Sequence, residues 1–263
     1  MKRLIQLLIF ILLTIITQVG GIIFILSTFL FLKNPPYKKL KNTTIFIGIY
    51  LTATFILIPP IASFCGREKI SNSSFVSPHS YLTIVLNRNY VSTPLNKSLQ
   101  TIGKKFNDKY PNLQLVYLDA NFPFLNGFPL LPHLSHNDGK KIDLSFIYKN
   151  IAGKHTNQKP SNTGYGIFEI PKEQEKSTTN FCKSKGYWQY NFTKYLTFGS
   201  NKSLIFSNTA NAFLINLIAK DKNVQKIFIE PHLKKRLSIS STKVRFQGCK
   251  AVRHDDHIHF QIH

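Results

Sequence analysis

The chain has 263 residues, 43% of them hydrophobic and 17% charged, and 34 Lys plus Arg against 12 Asp plus Glu give a formal net charge of +22. That much apolar surface excludes a collagen-like, mucin-like or wholly disordered chain, and the length suits one or two domains. The mean hydropathy near zero averages a very apolar beginning with a polar remainder.

Leu4 to Leu32 and Thr43 to Phe64 contain no charged residue. Each stretch is long enough to cross roughly 30 Å of hydrocarbon as a helix. Two N-terminal transmembrane helices are therefore expected, within a membrane anchor of residues 1–64. A cleaved signal peptide fits less well, because the first stretch is too long, no small-x-small site follows it and a second apolar stretch comes directly after. The charge rule is tied: Lys33, Lys38, Lys39 and Lys41 between the spans are matched by Lys2, Arg3, Arg67 and Lys69 outside them.

Residues 65–90 turn to Ser, Asn and Pro and read as a linker with an entry strand, YLTIVLN. Residues 91–263 are expected to form the soluble domain, enough for one buried core. Thr93-Pro94 is a helix-start signal, and Leu95, Leu99, Ile102 and Phe106 follow at helical spacing. LQLVYLD, ending at Asp119, reads as a strand, Asn121 to Pro132 as loop, and KKIDLSFIY as an alternating strand. The polar stretch 150–180 lacks periodicity and reads as a long surface loop. A helix over Thr209–Lys220, a strand at VQKIFI, a short helix at PHLKKRL and a closing strand over Asp256–Ile262 follow. The sum is an α+β fold, with helices on a small, mostly antiparallel sheet.

The basic residues form no concentrated arm and no nucleic-acid motif occurs, so nucleic-acid binding is not expected. Cys65, Cys182 and Cys249 form no CxxC pair. In an oxidising compartment Cys182 and Cys249 could bridge; two buried thiols fit the sequence equally well.

Acidic residues are scarce, yet His136–Asp143 and His254–His259 hold four of the 12, together with four of the nine histidines. Period-two geometry puts His257, His259 and Gln261 on one strand face and Ile258, Phe260 and Ile262 on the other. Asn137-Asp138-Gly139 is a reversal signal that can fold His136 back toward Asp143. Asp143 and Ser145 then share a face opposite Ile142 and Leu144. Two imidazoles and one carboxylate suit zinc, whose catalytic sites keep three protein ligands and a water of pKa about 7. A further His beside the ligands could stabilise an oxyanion. His133 reads as a supporting residue, and Asp119, Asp138 and Asp255 as acceptors that could orient a ligand His. His79, His155, His232 and His263 read as surface residues, and Trp188 as core.

SHNDGKKIDLS and VRHDDHIHF resemble the two metal motifs of the penicillin-insensitive murein endopeptidases, within the superfamily of lysostaphin-type enzymes, D-Ala-D-Ala metallopeptidases and the hedgehog fold. LVYLDANFP and VQKIFIEPHLKKRL are also similar to that family, and the likeness runs roughly from Val91 to His263. The resemblance implies zinc ligands at His136, Asp143 and His259, with His257 beside the metal as a catalytic or oxyanion-stabilising residue. His254 falls where the murein endopeptidases also carry a His and the D-Ala-D-Ala carboxypeptidases carry a Glu base. That favours the endopeptidase branch and leaves the general base open. The expectation is a membrane-anchored zinc peptidase acting on peptidoglycan peptide cross-links, with its domain outside the cytoplasmic membrane. A D,D- or L,D-carboxypeptidase and a non-catalytic zinc-bearing binding domain are the alternatives. Members of this branch are soluble periplasmic proteins, so the two expected spans are a departure from it.

Overall fold

A computed structural model describes residues 2–33, 36–201 and 203–263. Asn34 and Pro35, inside the basic loop expected between the spans, lie outside the described residues.

The first apolar stretch does not form one spanning helix. It makes α1 (Lys2–Thr17) and α2 (Gly20–Thr28), folded back on each other. At 1.5 Å per residue both are shorter than the roughly 30 Å of a hydrocarbon core. Two local features break the helix. Gln18 takes a left-handed φ of 65°, and Thr17 Oγ1 accepts from the Gly20 N–H at 2.7 Å. A Cβ on Gly21 would sit 2.0 Å from Thr14 Oγ1, so glycine there permits close helix contact.

Among the described residues, one helix is long and apolar enough to cross a membrane, Lys38–Phe64. It comprises α3 (Lys38–Thr52), a π-helical segment (Ala53–Leu57) and α4 (Ile58–Phe64). Pro59 and Pro60 cannot donate to carbonyls one turn back, and the helical ladder widens just before them. The freed Thr54 carbonyl accepts from Lys69 Nζ at 2.9 Å.

α2 runs antiparallel to α3. Leu32 bonds Asn42 at one end, and Val19 and Ile23 pack with Tyr50 toward the other. The Gln18 turn touches the following domain, its Oε1 accepting from Phe124 N–H at 2.8 Å. The start of α1 and the start of α3 therefore share the end remote from that domain.

The stretch read as a linker is built into the domain. β1 (Glu68–Lys69) pairs with β3 (Tyr90–Val91), and β2 (Val76–Pro78) joins the main sheet. The expected entry strand YLTIVLN is instead a short helix, α5 (Tyr81–Val85), because Ser80 caps it by accepting from Leu82 N–H and Asn87 ends it with φ 57°. Next come α6 (Thr93–Lys109), β4 (Leu115–Asp119), β5 (Lys141–Ser145), β6 (Tyr148–Lys149) and β7 (His155–Thr156). KKIDLSFIY is thus two strands rather than one. The rest are α7 (Thr178–Ser184), a 3₁₀ segment (Trp188–Leu196), β8 (Ile205–Phe206), α8 (Asn208–Lys220), β9 (Val224–Phe228), α9 (Pro231–Arg236), β10 (Val244–Arg245) and β11 (His257–Ile262).

The main sheet has the order β10-β9-β11-β5-β4-β2, antiparallel at its centre and parallel at its two edge pairs. α6 and α8 cover one face through Leu95, Leu99, Ile102, Leu214 and Ile218, packed against Ile142, Leu144, Ile258 and Phe260. The chain is mixed α+β, as the patterning predicts. Register then fixes the site: His259 pairs with Asp143 and His257 with Ser145 on the central strands, on the face opposite that core.

Candidate metal centre

Asp143 lies fully buried among four histidines. Its Oδ1 is 2.9 Å from His259 Nδ1 and 3.2 Å from His136 Nε2, and those two nitrogens are 3.1 Å apart. Its Oδ2 accepts from the Tyr165 hydroxyl at 2.8 Å and contacts His133 Nδ1. His257 Nε2 stands 3.6 Å from Oδ1.

The Asn-Asp-Gly turn carries His136 to this place. Gly139 has φ 78°, its N–H donates to Asn121 Oδ1, and Asp138 accepts from Lys140 N–H. His136 Nδ1 donates to the Ala120 carbonyl at 2.7 Å, which leaves Nε2 with its lone pair toward Asp143 and His259.

Charge explains the protonation pattern. Burial alone would raise the Asp143 pKa, but His136, His133 and His257 pull it well below the ordinary carboxylate value. Burial opposes charge on His136 and His257 too, and there Asp143 outweighs it and holds both above the usual imidazole value. For His259 burial wins and the pKa falls to about 4. His254 is held well below the usual value by burial and then by His257 and His259.

Three lone-pair atoms converging at about 3 Å repel one another unless a proton or a cation lies between them. The triangle fits a cation: tetrahedral ligands at about 2.0–2.1 Å from zinc stand roughly 3.3 Å apart. Buried His and Asp side chains here can hold a metal ion in two overlapping groups, His136–Asp143–His259 and His133–Asp143–His257. Among the described residues, Nε2 of His133, His257 and His259 is buried without a hydrogen-bond partner.

All five residues singled out by sequence, His136, Asp143, His254, His257 and His259, come together. The proposed acceptors do not. Asp119 pairs with Arg88, Asp138 with Lys141 and Asp255 with Arg253. The residue that does orient an imidazole is Asp256, whose Oδ1 is 2.5 Å from His257 Nδ1. His232, read as surface, is buried, with Nε2 against the Glu169 carbonyl at 2.7 Å.

Tyr165 also escaped the sequence reading, because it lies in the aperiodic stretch 150–180. Its signal was the flanking glycines. Gly164 and Gly166 have φ of 84° and 82°, and a Cβ on Gly166 would lie 2.3 Å from the Thr193 carbonyl. This turn aims Tyr165 at Asp143 and the Gly166 N–H at Asp256 Oδ2, 2.7 Å away. Burial and then Asp143 raise the Tyr165 pKa well above 10, so it stays a donor.

A cleft of about 490 Å³ opens over His254 and His259. Trp188, expected in the core, is 73% exposed and forms part of its wall. Cys182 and Cys249 form a disulfide that ties α7 to the loop on another side of this cleft, whereas Cys65 is free and exposed. A larger groove of about 810 Å³ beside Lys109 and Lys159 contains none of the residues of the candidate centre. Comparison with models of known protein families gives no match, and a search of curated proteins gives no significant match.

Proposed function

We propose that the protein is a membrane-anchored zinc peptidase that hydrolyses amide bonds in peptidoglycan peptide cross-links, as the motif resemblance implies. The observation that carries this reading is the triangle of His136 Nε2, Asp143 Oδ1 and His259 Nδ1 beside an open cleft. These three residues would hold the ion, which when bound supplies Lewis acidity for water and the scissile carbonyl. Tyr165 and His133 hold the other oxygen of Asp143, keeping Oδ1 turned to the centre. His257, with Nδ1 donating to Asp256, directs Nε2 inward, where its imidazolium form can donate to a developing oxyanion. His254, buried and lining the cleft beside His257 and His259, is placed to contact the attacking water.

For the membrane arrangement, the fold supports a basic end with Lys2, Arg3, Lys33, Lys38, Lys39 and Lys41 and a domain end with Arg67 and Lys69. Six positive charges against two favour a cytoplasmic basic end and an extracytoplasmic domain. Arg67 is also turned inward, onto the Phe122 carbonyl and Asn126.

The decisive experiment combines zinc analysis of the purified chain with product analysis on cross-linked muropeptides. About one zinc per chain and conversion of dimeric to monomeric muropeptides are expected. Loss of a terminal residue from monomers alone would instead assign a carboxypeptidase, and metal without cleavage a binding domain.

A further inference from the structure

The cleft over the candidate centre has a composition of its own. Its lining includes apolar Leu131, Pro132 and Leu134 and aromatic Trp188 and Phe192. The loop Gln247–Val252 contributes Gln247, Lys250, Ala251 and Val252. Among the described residues lining the cleft, Lys250 is the one Lys, Arg, Asp or Glu. Among the described residues no ion pair engages it, while the neighbouring Arg253 is consumed by Asp255 and stacks on Phe168 at 3.9 Å.

The loop is fixed in place. The Cys182–Cys249 disulfide anchors the residue before Lys250, and Gly248, at φ 96°, turns the chain so that its carbonyl accepts from Ala251 N–H at 3.3 Å. Lys250 is therefore presented at the apex of a pinned turn. A small apolar ligand with a single anionic group matches this lining: its methyls against the apolar and aromatic residues, its charge at the one lysine. Such a pair is a charge-assisted hydrogen bond.

We propose that Lys250 is a specificity-determining residue that pairs with a free carboxylate on an alanyl-type peptide bound in this cleft. The identity of the peptide rests on the peptidase reading; the carboxylate preference does not. Trp188 is the single tryptophan of the chain and lies on the cleft wall, so its fluorescence reports occupancy without any need for turnover.

The test is a fluorescence titration of the full-length protein with N-acetyl-D-alanyl-D-alanine and with its C-terminal carboxamide. The acid is expected to bind roughly fivefold to tenfold more tightly than the carboxamide, in keeping with one hydrogen bond to a charged group. Lys250→Met should abolish that preference, and Lys250→Arg should retain most of it. Lys250 is exposed, so neither substitution threatens the fold. Equal binding of the two peptides to the wild type, no binding of either, or a preference that survives Lys250→Met would overturn the proposal. An acid preference that depends on Lys250, found in a protein that cleaves no muropeptide, would sustain this inference and remove the peptidase reading.

Discussion

Asp256 Oδ1 lies 2.5 Å from Nδ1 of the adjacent His257, while its other oxygen accepts from Gly166 N–H at 2.7 Å and Thr193 Oγ1 at 3.2 Å. A carboxylate held on both oxygens fixes the ring and its tautomer, so Nε2 faces Asp143. Asp256→Asn is expected to lower kcat/KM on muropeptides by about 10- to 100-fold with zinc content unchanged. An unchanged rate would show that the orientation of His257 is immaterial.

The ligand assignment gives a second prediction. His259→Ala and Asp143→Ala should each lose most of their bound zinc, whereas His257→Ala should retain it and lose about 10²- to 10³-fold in rate. Tyr165→Phe leaves one Asp143 oxygen without its hydroxyl donor and should weaken zinc about 10- to 100-fold in a chelator competition. Full zinc retention in both His259→Ala and Asp143→Ala would refute the assigned set.

Acid stability can be followed at His79, far from the metal-binding groups in sequence. Burial, and then the Lys159 charge, lower its pKa from 6.5 to about 4. The unfolded chain takes up this proton below pH 6.5 and the fold resists it until about 4, so this contribution is complete above 6.5 and is lost as pH falls through that window. His79→Gln should therefore gain in Tm relative to the wild type on going from pH 7.5 to pH 4.5. A difference that does not vary with pH would contradict the assignment.

The disulfide closes a sequence separation of 67 residues. Cys182→Ser with Cys249→Ser should reduce the unfolding free energy by about 2–4 kcal/mol. It should also raise KM more than it lowers kcat, since the bond pins a cleft wall and touches no metal-binding group. Denaturant unfolding and steady-state kinetics would check both.

Topology supplies the last prediction. Alkaline phosphatase fused after His263 should be active and the same reporter at Lys39 inactive, because the basic end carries six positive charges against two. The reverse pattern would exclude peptidoglycan as substrate, since the domain would never meet it.

What the sequence determined by itself was the set of elements whose local signals are strong. The Thr93-Pro94 start and the i, i+4 spacing of Leu95, Leu99 and Ile102 suffice for α6, and alternation suffices to put His257 and His259 on one face of β11. The buried His and Asp residues that converge at the candidate centre were legible because scarce acids clustered with histidines at a turn and on a strand. Tertiary structure decided what depends on partners distant along the chain. Apolarity alone cannot distinguish one span from two packed helices; the left-handed Gln18, its bond to Phe124 and the glycine contact with α1 make that choice. The tie in flanking charge disappears only once the starts of α1 and α3 share the end remote from the domain. Tyr165, within the aperiodic stretch 150–180, reaches Asp143 across a sequence separation of 22, and Asp256 becomes the partner of His257 because the Gly166 turn packs against it. Lys250 was one lysine among many until the disulfide and the Gly248 turn set it on the rim of the cleft.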